Sequence, residues 1–349
     1  MSDMKAIGFT SYGDAEVLKE LSVPKPVPGD EDVLVRVKAT ATNPVDCKIR
    51  SNWGKGASEV PQEKSPFICG YDGAGVVEAV GKNVTKFKEG DEVYFAGVMS
   101  RQGSNADYTL LDERVVALKP KNVSFAEAAG FPLTGLTAIE GLVESLHVRL
   151  RENETKDDDD NGEKVLLVIG GAGGVGSMVI QLAKQWLRPL RVVATASRPE
   201  TVEWCKKLGA DDVINHKNNL KEELEKIGVK GVDYVFNTAS TEQWFEQIVD
   251  IANPLARIVL INETDEKLPL GKGMLKRLTW SYELMFSKPL LNVNPQTQGS
   301  WLEKLAASVE EGKIVPTVNT TFDYSVENLQ EAHKLQESGK AIGKIVLNM

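Results

Sequence analysis

Residues 165–177 read Val-Leu-Leu-Val-Ile-Gly-Gly-Ala-Gly-Gly-Val-Gly-Ser, with Gly171, Gly173 and Gly176 in the spacing G-x-G-x-x-G. An apolar strand precedes these glycines. The helix that follows carries Val175, Met178, Val179, Leu182 and Trp186 on one face. A turn of this kind can hold a pyrophosphate. Gly171 permits the tight turn, Gly173 lets the backbone approach the phosphates, and Gly176 lets helix and strand pack closely. Gly174 and Val175 open the helix, whose N-terminus offers free N–H groups and a partial positive charge. In an NAD site an Asp or Glu about 20 residues on holds the ribose 2′-hydroxyl. Here the equivalent stretch is Ala196-Ser197-Arg198-Pro199, and the first acid is Glu200. A small hydroxyl followed by a fork-shaped guanidinium suits a 2′-phosphate, so NADP is favoured over NAD. Ser197-x-x-Glu200 also matches a helix capping box, and the two roles can coexist. His216, just past Val213-Ile214-Asn215, either helps hold the adenosine phosphate or is a bystander. His147 and His333 fall in helical stretches and are expected at the surface.

A binding turn of this type needs a parallel sheet behind it, and the pattern after Ser124 supplies one. Ser124-Phe125-Ala126-Glu127 has the form of a capping box. Beyond it, strands at Val165–Ile169, Arg191–Ala196, Val213–Asn215, Asp233–Asn237 and Arg257–Ile261 alternate with helices. Strands apolar throughout, each followed by a helix, predict a parallel sheet covered on both faces. Asn237 and Thr238 end the fourth strand, where open α/β sheets place ligands. The first 123 residues read differently. Val33–Val37, Gly75–Val80 and Glu92–Phe95 are short strands between Gly, Pro, Asn and Asp punctuation. After Asn294 the spacing predicts helices over 301–311 and 326–338, an extended Ile314–Val318 and a last strand at Lys344–Leu347. The charged stretch Arg151–Lys164, with four adjacent aspartates from Asp157, reads as an exposed loop; it lacks the spacing and glycine of a calcium loop.

Bulk properties narrow the function classes. A chain of 349 residues suffices for two ordinary domains. A net charge of −9 argues against binding nucleic acid or anionic lipid through bulk electrostatics. The apolar run Val165–Ala183 contains five glycines, which suits a strand–turn–helix junction rather than a membrane span. Cys47, Cys69 and Cys205 are three in number and widely spaced, so neither a disulfide framework nor a CxxC zinc module is implied. With no apolar stretch of signal length in the first ten residues, a reducing cytoplasm is the expected location.

Further landmarks extend over nearly the whole chain: Asn43-Pro44-Val45-Asp46, Gly70-Tyr71-Asp72-Gly73-Ala74-Gly75, Gly90-Asp91-Glu92-Val93, Pro132 to Ala138, Leu208-Gly209-Ala210-Asp211 and Gly343-Lys344-Ile345-Val346. Together with the glycine turn, they resemble the medium-chain dehydrogenase/reductase superfamily, and within it the zinc-free quinone oxidoreductase branch. The resemblance implies an α/β chain: a GroES-like β-rich catalytic domain over 1–125 and 298–349, and a doubly wound Rossmann domain over 126–297, with the active site between them. Zinc members carry a cysteine where this chain has Asn43 and a histidine where it has Tyr71. Their structural lobe needs four close cysteines, and residues 92–108 contain none. Cys47, Cys69 and Asp72 are displaced from the family's ligand positions, so no metal is expected.

A bound zinc ion stabilises the negative charge that develops on a carbonyl. Without one, the acceptor must delocalise that charge itself, as a quinone or an α,β-unsaturated carbonyl does. The resemblance thus implies NADPH-dependent reduction of such acceptors by positioned hydride transfer. A zinc alcohol dehydrogenase and a non-catalytic NADPH-binding protein are the competing readings. Tyr71, at a lost zinc-ligand position, either orients the acceptor oxygen or donates a proton to it, or packs in the wall. Asn43 would contact the nicotinamide ribose or the substrate. Asp46 would fix the loop or a neighbouring N–H, Thr137 would meet the nicotinamide, and Lys344 would reach the cofactor phosphates. The aromatic run Trp280–Phe286 can line the acceptor pocket or serve packing, and Ser51–Lys64 would shape the pocket mouth. A homodimer through the Rossmann domains completes the expectation.

Overall fold

The computed structural model describes residues 3–52, 66–153 and 164–349. Most of the expected pocket-mouth loop and most of the charged stretch after Arg151 lie outside the described residues. The chain divides into two compact units, Met1–Leu136 with Phe286–Met349, and Thr137–Met285.

The first unit opens with an antiparallel ribbon of β1 (Asp3–Gly8) and β2 (Lys19–Pro24). Then come β3 (Asp32–Thr42), α1 (Pro44–Arg50), β4 (Asp72–Val80), β5 (Glu92–Ala96), β6 (Tyr108–Asp112), β7 (Val116–Leu118), α2 (Phe125–Ala129) and α3 (Pro132–Ile139). Alternation along β3 turns Val33 and Val35 inward, where Val77, Phe87, Val93, Phe95, Leu111 and Val116 close a core around them. The expected capping box forms at the start of α2: the Ser124 N–H donates to Glu127 Oε2 at 2.8 Å, and the Glu127 N–H donates to Ser124 Oγ at 3.2 Å.

The second unit is built from β8 (Lys164–Ile169), α4 (Gly174–Gln185), β9 (Leu190–Thr195), α5 (Pro199–Lys207), β10 (Asp212–Ile214), α6 (Leu220–Lys226), β11 (Val232–Asn237), α7 (Thr241–Ile251), β12 (Ala252–Leu260) and β13 (Thr279–Tyr282). Its sheet runs β10-β9-β8-β11-β12-β13, and every pairing is parallel. This is the doubly wound order, which reverses direction at β8 and β11. Val165, Leu167, Ile169, Val193, Val235 and Ile258 lie in the core on one side of the sheet, packed with Trp244, Ile248 and Leu224 from the helices. The sequence reading missed β13. Thr-Trp-Ser-Tyr is four residues long and partly exposed, so it gives too weak a periodic signal to stand out from a loop.

The chain returns to the first unit through α8 (Ser287–Leu291), α9 (Gln296–Glu310), β14 (Val318–Asp323), α10 (Val326–Glu337) and β15 (Lys344–Asn348). There the sheet order is β14-β15-β3-β4-β5-β7, with β6 also paired to β3. The β14–β15 pairing is parallel, and the other pairings are antiparallel. Two expected boundaries move. Residues 126–136 belong with the β-rich unit because α2 packs on β3, β4 and β15. The extended segment expected at 314–318 begins as a strand only at Val318, where it finds its ladder partner in β15. Among the described residues, no helix is long and apolar enough to cross a membrane.

The glycine turn gives the first test. A Cβ at Gly176 would lie 2.3 Å from the Gly170 carbonyl oxygen and 2.8 Å from Gly171 Cα, all immovable backbone. At Gly173 the nearest atom would be 3.5 Å away, an ordinary contact. Gly176→Ala should therefore cost roughly 1–3 kcal/mol by overpacking. Gly173→Ala should leave the melting temperature nearly unchanged and impair dinucleotide binding instead, as thermal melts and cofactor titration would show.

Candidate active site

In the second unit the expected nucleotide residues gather at the carboxyl ends of the strands. Gly170 leaves β8 with φ +83°, a conformation that favours glycine, and α4 starts four residues later with Gly173 as its N-cap. The Gly170 N–H donates to Thr195 Oγ1 at 3.0 Å, and the Gly171 N–H donates to the Thr195 carbonyl at 3.2 Å, tying the turn to β9. Across the reversal point the Thr238 hydroxyl donates to the Ile169 carbonyl at 2.7 Å. Beside it, Asn237 is fully buried, and its Oδ1 accepts the Ala239 N–H at 3.0 Å. Its Nδ2 has no partner among the described residues. Buried donors are rarely left unpaired, so this amide is suited to a bound acceptor group. Thr137 lies on α3 and is buried at the start of this unit.

The end of β9 corrects one reading. Helix α5 begins at Pro199 with Arg198, not Ser197, as its N-cap. The cap is closed by Thr201, whose Oγ1 accepts the Arg198 N–H at 3.1 Å and donates to the Arg198 carbonyl at 2.7 Å. The Ser197 hydroxyl therefore lies outside the cap. Arg198 forms an ion pair with Glu200, Nε to Oε1 at 3.2 Å. His216 is half-buried at the end of β10. Burial, then the charges of Lys217 and Arg198, hold its pKa below the usual histidine value. That effect identifies Lys217 as a further cation near Arg198 and His216. An exposed lysine gives no sequence signal by itself, and its value here comes from the pairing of β10 with β9.

In the first unit, Tyr71, Asn43, Asp46 and Lys344 come together around Asp72. Lys344 is 3% exposed and Asp72 fully buried, and their ion pair spans 2.9 Å. The Lys344 ammonium also donates to Asn43 Oδ1 at 2.6 Å and to the Thr42 carbonyl at 2.9 Å. Asn43 Nδ2 donates to Asp72 Oδ2 at 2.9 Å, and the Leu133 N–H donates to Asp72 Oδ1 at 2.7 Å. Burial raises the Asp72 carboxyl, while Lys344 and these donors pull it back. Asp46 accepts two backbone N–H groups at 2.8 Å each, from Asn43 and from Gly70. Those bonds and Lys344 oppose the effect of burial, which nevertheless pushes Asp46 up to about 7.

Tyr71 is fully buried and its phenol has no hydrogen-bond partner among the described residues. Its ring meets Phe286 edge-on with centroids 5.3 Å apart. Burial pushes the phenol well above its ordinary value, so it remains a neutral donor at any working pH. The expected aromatic run thus serves different ends: Trp280 stacks on Phe245 at 5.0 Å, Tyr282 is exposed, and Phe286 abuts Tyr71. His333 corrects another expectation. It is fully buried, and burial together with Arg50 drives its pKa down to about 3. Asp72 was legible as a landmark but not as a site residue. A charged side chain followed by five residues of only Gly, Ala and Val signals that a buried partner is needed.

A zinc ion, which zinc members of the superfamily hold, does not fit these donors. Asn43 and Asp72 are engaged by the Lys344 ammonium, and Asp46 is taken up by backbone N–H groups. Burial raises the Cys47 and Cys69 thiols, and they point at carbonyls of His333 and Asp46. Among the described residues, no three His, Cys, Asp or Glu side chains are grouped to hold a metal ion. The glycine turn, by contrast, fits a dinucleotide.

A GroES-like β unit combined with a doubly wound sheet carrying a dinucleotide turn is the architecture of a dehydrogenase or reductase. The family described as "Alcohol dehydrogenase GroES-like domain" matches residues 29–130, and that described as "Zinc-binding dehydrogenase" matches residues 174–300. The chain belongs to the medium-chain dehydrogenase/reductase superfamily and is an oxidoreductase of that type. A zinc-type alcohol dehydrogenase-like protein of Staphylococcus aureus is 39% identical, covering 99% of this chain and 100% of its own. The NADPH-dependent alkenal/one oxidoreductase of Arabidopsis thaliana is 35% identical over 99% of this chain and 79% of its own. A solved candidate zinc-dependent alcohol dehydrogenase from Rhizobium etli superposes with a TM-score of 0.91 at 38% identity, covering 100% and 99% of the two chains.

Asp46 yields the second test. Its folded-state pKa lies above the ordinary value near 3.9, so the folded protein holds this proton more tightly than the unfolded chain. The contribution of Asp46 to stability is therefore largest below about pH 4 and declines as pH rises toward about 7. Asp46→Asn should remove that slope from a series of denaturant melts. It should also cost about 1–3 kcal/mol at pH 5, because an amide cannot accept both N–H groups.

Proposed function

We propose that the protein reduces α,β-unsaturated carbonyl compounds or quinones with NADPH, without a metal Lewis acid. The observation that carries this reading is the Lys344–Asp72–Asn43 cluster, which takes up donors that a metal would need. The Arabidopsis relative's name supports the acceptor class and the cofactor. The cations Arg198 and Lys217, both of which act on the neutral His216, with the Ser197 hydroxyl outside the cap, support NADP over NAD.

NADPH, when bound, supplies a hydride. The glycine turn from Gly171 to Gly176 and the N-terminus of α4 would hold its pyrophosphate, and the unpaired Asn237 amide and Thr238 lie at the sheet's reversal point. The chain's own task is to orient the acceptor and stabilise charge on its oxygen. An enone or quinone delocalises incoming charge, so one neutral donor suffices where a plain ketone would need a stronger electrophile. Tyr71 can be that donor. Its phenol has a proton and no other partner, and its raised pKa makes it an orienting group rather than a proton source.

Three buried, free cysteines are in keeping with a reducing cytoplasm. The reading includes a homodimer through the second unit. Leu255, Met274, Leu275 and Tyr282 are apolar or aromatic and exposed on or beside β12 and the open edge strand β13. Light scattering should then give twice the 38.2 kDa chain mass, and Leu275→Asp should shift it toward the single-chain value.

The functional test is a screen of NADPH and NADH oxidation against enones, quinones, aldehydes and simple alcohols. Enones or quinones should be reduced with NADPH preferred. Arg198→Ala should raise KM for NADPH far more than for NADH, and Tyr71→Phe should lower kcat roughly 10–1000-fold. Fast oxidation of simple alcohols by a zinc-loaded protein would overturn the reading, as would tight NADPH binding with no turnover of any acceptor.

A further inference from the structure

The cluster around Asp72 is built more tightly than the binding of an acceptor requires. The Lys344 ammonium has three protons, and three oxygens receive them within 2.9 Å: Thr42 O, Asn43 Oδ1 and Asp72 Oδ2. No donor capacity is left for a phosphate. Asp72 in turn accepts from Asn43 and from the first turn of α3 at Leu133. The Asp72 carbonyl accepts the hydroxyls of Thr40 at 3.1 Å and Ser104 at 2.6 Å. The 71–72 backbone is thus held by this cluster, by the sheet, by Ser104 and by the Gly97 N–H on the Tyr71 carbonyl at 3.1 Å. The Tyr71 phenol, with no hydrogen bond among the described residues, is located by that backbone, by Gly97 against its ring and by Phe286.

We infer that Lys344 is a positioning residue: its ammonium is the resident cation of the site, holding Asp72 and Asn43 so that the adjacent Tyr71 phenol is aimed. The inference rests on the metal-free reduction proposed above and gives it a mechanism for aligning the donor. It also replaces the expected contact of Lys344 with the cofactor phosphates, and the two roles predict opposite kinetics. A phosphate ligand lost raises KM for NADPH, with the affinity becoming less sensitive to salt. A positioning cation lost lowers kcat while cofactor binding stays as it was.

Removing one charge alone would strand the other in the interior and confound the result with unfolding. The variant to make is therefore Lys344→Met with Asp72→Asn, which is neutral and keeps an acceptor for the Leu133 N–H. Its kcat with the best acceptor should fall of order a hundredfold, the cost of a misplaced group. Its NADPH dissociation constant, read by fluorescence, should stay within about a factor of two of the parent, since no site-specific contact to the cofactor is lost. In protein labelled with ¹³C-tyrosine, the Tyr71 signal, assigned by its absence in Tyr71→Phe, should shift or broaden. Parental kcat in the double variant, a kcat loss fully matched by loss of NADPH binding, or an unchanged Tyr71 signal would each overturn the inference. Should the parent protein reduce no acceptor, the proposed function falls while the Tyr71 signal still judges the positioning of the phenol.

Discussion

The constraint that organises the first unit is electrostatic: two opposite charges lie out of water and must satisfy each other completely. Asp72 and Lys344 have essentially no solvent to fall back on, so every remaining lone pair and proton needs a partner of the right geometry. Asn43 meets part of that demand from the start of α1, Leu133 from the start of α3, and the Thr42 carbonyl from the end of β3. Four segments far apart in sequence are thereby pinned to one point. Replacing the pair with apolar residues of similar volume need not weaken such an interior, so its presence is better understood through geometry than through stability.

Against this saturated cluster stand polar groups without partners among the described residues. The Tyr71 phenol in the first unit and the Asn237 amide in the second are both buried. Each carries a desolvation cost of about 1–3 kcal/mol while unpaired. In the first unit the Lys344–Asp72–Asn43 bonds hold the backbone beside Tyr71 in place while its phenol stays unpaired among the described residues.

What could be read from the sequence depended on how local each requirement is. The glycine turn was legible because each glycine answers to atoms within a few residues, as the 2.3 Å approach of a Gly176 Cβ to the Gly170 carbonyl illustrates. The strands of the parallel sheet were legible because burial on both faces makes them continuously apolar. The cap at α5 was misread by one residue, although Pro199 carried the signal: proline favours the first helical position, which sets Arg198 as the cap. Strand β13 and the buried setting of His333 were not legible, since neighbours from distant segments decide them. The ion pair was hardest of all. Lys344 and Asp72 are 272 positions apart, and in a sequence each looks like an ordinary surface charge. The family landmarks placed both residues in view without revealing that they meet.

The order in which the chain is made gives the same pair a temporal meaning. Unit two occupies Thr137–Met285, so the ribosome completes it before Lys344 exists. Until β15 arrives, Asp72 belongs to a sheet lacking its counter-ion, and the strand that must slot between β3 and β14 is missing. During translation all of the second unit is made before the first is complete, since the first lacks a strand until β15 is made. Chaperones would be expected to engage this nascent species at the β3 edge, and folding variants that slow closure should map there.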